Sequence, residues 1–291
     1  MADNSFPIYT WLTALRYILT RPGMLDGLPG GPQPLLARGD ARVQRLLEAT
    51  VNTPHGLQTL IDGRRSYKVG PAFEALVQYA LVHGLGYECI AWDLQIFEKK
   101  RTVGALDLVL RSQSGAIEHW ELAYKLYLQA GQGCSWEHWV GPNEHDRLSS
   151  KVSRLLEHQL PLSNRPEARA ALQRVDIDRI DVHRVFLMGT LFHHWQSPPA
   201  LAHDAMHESE GWWVHASDLS NLVQSYPSSR WSRRHKPHWF GTWDVSDRGL
   251  SVDDLLEELR VRPMTRPQLW VMGPVGCRPV FLVPNTWGQR S

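Results

Sequence analysis

The sequence predicts a mixed α/β fold of the α+β kind, with a centre that runs helix, strand, strand, strand, helix, strand. Three observations predict it. Residues 71–83, PAFEALVQYALVH, carry apolar side chains at helical spacing. Residues 87–127 follow as three strand-like runs, separated by the basic turn Lys99–Lys100–Arg101 and the polar turn Ser112–Gln113–Ser114–Gly115. Helical spacing then returns over 144–159, and 181–192, DVHRVFLMGTLF, is a continuous apolar run of the kind a buried strand shows.

Taken in order, residues 8–19 form a short helix packed by Trp11, Leu15 and Ile18 or Leu19, which Pro22–Gly23 stops. Residues 20–40 are a loop rich in Gly and Pro. Its Gly27–Pro32 run lacks the Gly-Lys-Ser/Thr ending of a phosphate loop, and its prolines remove amide donors. A second helix covers 41–62, with Val43, Leu46, Leu47 and Val51 in phase. In the helix of 71–83, Pro71 suits the first turn, Phe73, Leu76, Val77, Ala80 and Leu81 make the apolar face, and Gly84–Leu85–Gly86 ends it. Strands follow at 87–98, near 103–111 and at 116–127. The helix of 144–159 places Leu148, Val152, Leu155 and Leu156 on one face, with Asn143 as N-cap. The remainder reads as a helix near 199–208, a strand at 211–215, a helix at 217–224, a basic aromatic loop from Arg230 to Trp243, a helix near 251–260 and strands near 267–273 and 279–283. No repeat or composition shift marks a linker. The expected organisation is one domain over 1–291: a helical extension at about 1–65, a core at about 66–195 and a C-terminal elaboration at about 196–291.

Composition bounds the function. Hydrophobic residues make up 43% and charged residues 21% of the 291, and the net charge is +1, so no global field draws the chain to nucleic acid or to a membrane. A nucleic-acid surface has to be a local basic patch. Cys89, Cys134 and Cys277 are odd in number and far apart, which argues against a disulfide framework or a cysteine zinc site and fits a reducing cytoplasm. The N-terminus has no basic segment before its apolar run, and no 18-residue apolar stretch occurs. A cytoplasmic protein without membrane association is expected.

The chemistry is carried by 102–128, TVGALDLVLRSQSGAIEHWELAYKLYL. Asp107 and Glu121 sit in apolar strands, where an uncompensated carboxylate costs several kcal/mol. Alternation puts Glu121, His119, Ala123 and Lys125 on one face of their strand, and Asp107 meets Glu121 if the hairpin register is right. Two carboxylates at one place favour Mg²⁺ or Mn²⁺, which takes oxygen ligands and keeps several waters. Lys125 could then orient the attacking water or stabilise charge on a phosphoryl group. Glu74, in the helix before the sheet, is either a solvated helix-dipole carboxylate or a further ligand.

With these residues in place, the chain resembles the PD-(D/E)XK nuclease-like superfamily. GALDLVL, HWELAYKLYL, GPNEHDRLSSKVSRLLEHQL and VHRVFLMGTLF look more closely like a bacterial domain-of-unknown-function family numbered 1853. The resemblance covers roughly residues 10–285. It implies a restriction-endonuclease-like αβββαβ core, Asp107 and Glu121 as metal ligands, Lys125 as the catalytic lysine and Glu74 as the helix carboxylate. The superfamily pattern places its lysine two residues after the acid, where this chain has Ala123. Lys125 is about 7 Å further along the strand.

Two basic stretches are candidates for a nucleic-acid surface. After Asn143, the positions of Arg147, Lys151, Arg154 and His158 follow helical spacing, which suits either a phosphate backbone or a solvated face. Arg230 to Trp243 interleaves Arg233 and Arg234 with Trp231, Trp239 and Trp243, which suits either single-strand binding or tryptophan packing. His203 and His207 have the spacing of a zinc-protease motif with Asp204 in place of its glutamate. The expected function is a metal-dependent phosphodiesterase acting on DNA or RNA. The alternatives are a nuclease-like fold that binds nucleic acid or a protein without cleaving, and a structural protein whose acids are simply salt-bridged.

Overall fold

The computed structural model describes residues 8–30, 33–64, 68–131, 135–197, 211–236, 239–240, 243, 249–274 and 277–289. In chain order its elements are α1 (Ile8–Thr20), α2 (Ala41–Asn52), α3 (His55–Gly63), α4 (Val69–Tyr79), β1 (Glu88–Glu98), β2 (Arg101–Arg111), β3 (Ile117–Gln129), β4 (Trp139–Val140), α5 (Leu148–Arg154), α6 (Leu160–Leu162), α7 (Pro166–Gln173), β5 (Val182–His194), β6 (Gly211–His215), α8 (Leu219–Ser225), β7 (Arg230–Arg234), α9 (Val252–Val261), β8 (Gln268–Gly273) and β9 (Arg278–Val283). The protein is a mixed α+β structure, and helix–strand–strand–strand–helix–strand is the order of α4, β1, β2, β3, α5 and β5, with the short β4, α6 and α7 inserted. The expected helix near 199–208, with His203 and His207, lies outside the described residues, as does Cys134.

Several expected elements differ in detail, each for a local reason. The helix read as 41–62 is two helices. Pro54 lacks an amide hydrogen and disfavours helical geometry at Thr53, so α2 ends and α3 begins there. The helix expected over 144–159 starts four residues late, because Asn143 and Glu144 lie in a turn and Glu144 takes φ +64°. Arg147 instead bridges to Val140. Two helical runs finish in π-turns, at Ala80–Gly84 after α4 and at Leu155–Gln159 after α5. Arg230–Arg234 is a strand, not a loop: it pairs antiparallel with β8 along its whole length, and Trp231 is fully buried.

The described residues form two compact units. The first runs to Tyr124 and adds Val152–Met188. In it, α1 packs on α2 and α4, and Trp11, Leu15, Ile18 and Leu19 are buried there. β1 and β2 form a long antiparallel ribbon from Glu88↔Arg111 to Glu98↔Arg101, and β2 pairs antiparallel with the start of β3. α7 covers the ribbon through Ala168, Ala171 and Leu172, which join Ile96, Leu106, Val109, Ile117 and Leu162 in one apolar cluster. β3 is buried on both faces at nearly every position, so its Glu118 and Glu121 carboxylates have no water to fall back on.

The second unit comprises Lys125–Lys151 and the residues from Gly189. Its strands run in the order β5, β6, β9, β8, β7, with β6 parallel to β5 and β9 and the other neighbours antiparallel. Leu219, Leu222 and Val223 of α8 and Leu255 of α9 close a core over Val214, Trp231, Trp270, Met272, Val280 and Leu282. α9 opens with a reciprocal cap between Ser251 and Asp254. No helix among the described residues is long and apolar enough to cross a membrane.

Gly211 stands opposite Phe192 in the β5–β6 pairing, and a Cβ there would lie 2.2 Å from the Phe192 ring. Phe192 is fully buried and packs edge-on against Phe281 at 4.8 Å. Gly211→Ala is expected to overpack this site and lower stability by about 1–3 kcal/mol, read as a lower urea midpoint with unchanged slope.

Candidate functional site

β2 and β3 are hydrogen-bonded neighbours only from Leu108↔Trp120 to Arg111↔Ile117. Asp107 and Glu121 are the next opposed positions, where the ladder has ended. There the half-buried Asp107 carboxylate replaces the missing backbone partner: its Oδ2 accepts the Leu122 amide at 2.8 Å. Glu121 is fully buried. Its Oε1 lies 2.8 Å from His119 Nε2, and its Oε2 accepts from Gln159 Nε2 at 2.5 Å. Gln159 closes the π-turn after α5. Such turns insert an extra residue into a helix and recur at functional sites.

Burial pushes the His119 imidazole down to about 4, against the opposing pull of the Asp107 charge. The ring is therefore neutral at pH 7, and its contact with Glu121 is an N–H···O bond from Nε2 rather than an ion pair. That tautomer leaves Nδ1 as an acceptor, buried without a hydrogen-bond partner. The His183 ring meets His119 edge-on at 5.7 Å, and its Nε2 lies 2.7 Å from Ser163 Oγ. Burial lowers His183 as well, and the neighbouring His119 imidazole adds to the lowering.

Glu74 lies on α4, and its side chain is 31% exposed and 4.0 Å from Arg64 Nη1. Arg64 ends α3. Its guanidinium donates to Gln78 Oε1 at 2.7 Å and lies 4.0 Å over the Trp92 ring. Burial lowers its pKa, while the Glu74, Asp93, Cys89 and Asp107 charges support the cation. The first unit thus carries a cation within electrostatic reach of Asp107.

Lys125 falls in the second unit, where its ammonium is ion-paired with Asp146. Tyr127 donates to the other Asp146 oxygen at 3.3 Å, and burial, followed by Asp146, raises its phenol pKa. Asn143 and Arg147 are exposed in the loop before α5, where Arg147 donates to the Glu137 carbonyl, and Lys151 is half-buried. His158 belongs to the first unit and is exposed on the π-turn. Arg233 is exposed on β7; Arg234 is half-buried, and its carbonyl accepts Trp239 Nε1. Asp107 and Glu121 are the opposed positions just past the β2–β3 ladder, and Asp107 accepts the amide of Leu122, the residue after Glu121. His119 and Gln159 are additions to the expected catalytic and metal set; the even spacing of His119 from Glu121 signalled the first, and the second is one of the polar residues of the phrase after β3. No group of three or more His, Cys, Asp or Glu side chains among the described residues is arranged to hold a metal ion.

The fold and this site describe a mixed α+β protein with a buried carboxylate–imidazole–amide cluster where two strands part. The chain belongs to the domain of unknown function family DUF1853, whose model matches residues 13–272. No match was found among curated proteins or among solved structures.

The buried neutral His119 has a pH consequence. Its folded pKa of about 4 lies below the ordinary 6.5. Between those values the unfolded chain binds a proton that the folded chain refuses. Stability therefore rises with pH across that window and is lost as pH falls through it, by up to about 3 kcal/mol from this residue. His119→Gln is expected to flatten urea-melt stability between pH 6.5 and 4. His193, shifted the same way by burial and then Arg278, keeps its share of the slope.

Proposed function

We propose that this protein is a metal-dependent phosphodiesterase of nuclease type, acting on DNA or RNA and built on a restriction-endonuclease-like αβββαβ core. What supports the reading is the meeting of Asp107 and Glu121 at the point where β2 and β3 part. Their donor set suits Mg²⁺ or Mn²⁺, because Mg²⁺ is commonly held by one or two carboxylates, waters and substrate phosphates rather than by an all-protein cage. In this reading Asp107 and Glu121 hold the ion, which when bound polarises a phosphoryl oxygen and acidifies water. Gln159 and neutral His119 fix the Glu121 carboxylate by donating to its two oxygens. The Leu122 amide orients Asp107. Glu74 is a further carboxylate on the preceding helix, held near Arg64.

One observation favours a second reading, a nuclease-like fold that binds nucleic acid or a protein without cleaving. Lys125, the residue expected to assist the water, is engaged by Asp146.

Thermal unfolding with added Mg²⁺ or Mn²⁺ separates the two. An ion at about a hundred times its dissociation constant stabilises by about 2.7 kcal/mol. The wild type is expected to gain this stabilisation, and Asp107→Asn, which keeps the shape and loses the charge, is expected to lose it. A wild type that gains nothing from either ion overturns the metal-dependent reading. If the ion binds, cleavage of single- and double-stranded substrates that Asp107→Asn abolishes supports the enzyme, and binding without cleavage supports the second reading.

A further inference from the structure

The β1–β2 ribbon carries features the acidic site does not use. β1 is the outermost strand in the sheet order, and two of its aromatics are open to solvent: Trp92 is 46% and Phe97 50% exposed. The register sets Trp92 opposite Leu108, and a shift between Ile96 and Phe97 sets Phe97 opposite Thr102. Each aromatic directly follows a residue packed in the cluster under α7, Ala91 for Trp92 and Ile96 for Phe97, so both turn away from that cluster. Trp92 is held from behind by Arg64, whose guanidinium lies 4.0 Å from the ring centroid. Arg64 is itself fixed by Gln78, which in turn donates to Cys89 Sγ at 3.3 Å. The ring is therefore rigidly mounted while nearly half of it faces solvent. At the far end of the ribbon Lys99, Lys100 and Arg101 are all exposed. Of the carboxylates on this ribbon, Glu88 is already paired with Arg111 at 3.0 Å, leaving Asp93 and Glu98 as the exposed acids beside the aromatics.

We infer that this ribbon is a binding surface for single-stranded nucleic acid, with Trp92 and Phe97 stacking unpaired bases and Lys99, Lys100 and Arg101 taking phosphates. Exposed aromatics give a single strand sequence-tolerant stacking, and the basic turn supplies the charge that complements its backbone. A duplex, whose bases are already stacked, has no use for the open rings. The inference rests on the nucleic-acid half of the proposed function and is independent of its metal.

The experiment is fluorescence anisotropy with a labelled mixed-sequence oligonucleotide, single-stranded or annealed to its complement, in EDTA so that metal plays no part. The wild type binds the single strand more tightly than the duplex. Trp92→Ala weakens single-strand binding by about fivefold or more, Trp92→Phe retains most of it, and Phe97→Ala acts in the same direction. Lys99→Gln with Lys100→Gln reduces the slope of log affinity against log salt by roughly 0.7 for each phosphate that is no longer neutralised. Unchanged thermal unfolding of the variants shows that the fold is intact. No single-strand binding by the wild type, equal binding of the duplex, or Trp92→Ala and Phe97→Ala variants that bind as the wild type does would each overturn the inference. So would a wild-type dimer, measured by sedimentation, that these substitutions dissociate without changing oligonucleotide affinity. Binding in EDTA by a protein that Mg²⁺ fails to stabilise would leave this surface standing and remove only the metal.

Discussion

A carboxylate with no access to water sits on a strand buried on both faces, and the architecture around it is arranged to satisfy it. Glu121 is fully buried, and each of its oxygens has a neutral donor, His119 from its own strand and Gln159 from the helical segment after α5. Removing a charge from water costs several kcal/mol even after relaxation, and that penalty is offset only where the lone pairs meet well-placed donors. The two donors arrive by different routes. His119 reaches Glu121 because they share a face of β3, and Gln159 reaches it from a π-turn. The cluster therefore ties the end of a helix to the middle of a strand, with the ladder between β2 and β3 already open beside it.

Element types were readable from the sequence where apolar periodicity was long and unambiguous. The helix that became α4, the three strands of the ribbon and β3, and the β5, β6, β8 and β9 runs all stand close to where spacing put them. Boundaries were less readable where local chemistry competed with periodicity. Pro54 splits a helix whose apolar phase runs on unbroken through it. The left-handed Glu144 delays the start of α5 although Asn143 looks like a cap. Arg230–Arg234 looked like a loop because three of its five residues are arginine, yet Trp231 and pairing with β8 make it a strand. Propensity and charge are weak constraints beside a ladder of hydrogen bonds and a buried tryptophan.

The acidic pair was legible because a carboxylate inside an apolar strand is itself an anomaly, and two such strands joined by a tight turn leave few registers. Its partners were not legible. Gln159 is an ordinary polar residue in a helical phrase, and only the extra residue of the π-turn turns it toward Glu121. Arg64 lies where the sequence suggests a helical extension, more than forty residues before Asp107, and no spacing rule links a residue at the end of α3 to a strand that distant. Lys125 was put on the Glu121 face by alternation along β3, a rule that follows the strand alone. It does not reveal that Asp146, from the loop before α5, takes the ammonium.

The positions of the two cations bear directly on what this site does. Lys125 pairs with Asp146, and Arg64, which lies over Trp92 at 4.0 Å with Glu74 at the same distance, has its cation supported by the Asp107 charge. Three of the donors that orient Asp107 and Glu121 are neutral: a backbone amide, a carboxamide and an uncharged imidazole. Neutral donors orient carboxylates without cancelling their charge. Two oriented carboxylates that keep their charge attract a cation that arrives with its own waters, whereas neutralised ones do not. An oriented carboxylate pair of this kind, with the Arg64 cation within electrostatic reach of Asp107, is what the metal-dependent reading draws on, and the Lys125–Asp146 pair is what the non-cleaving reading draws on.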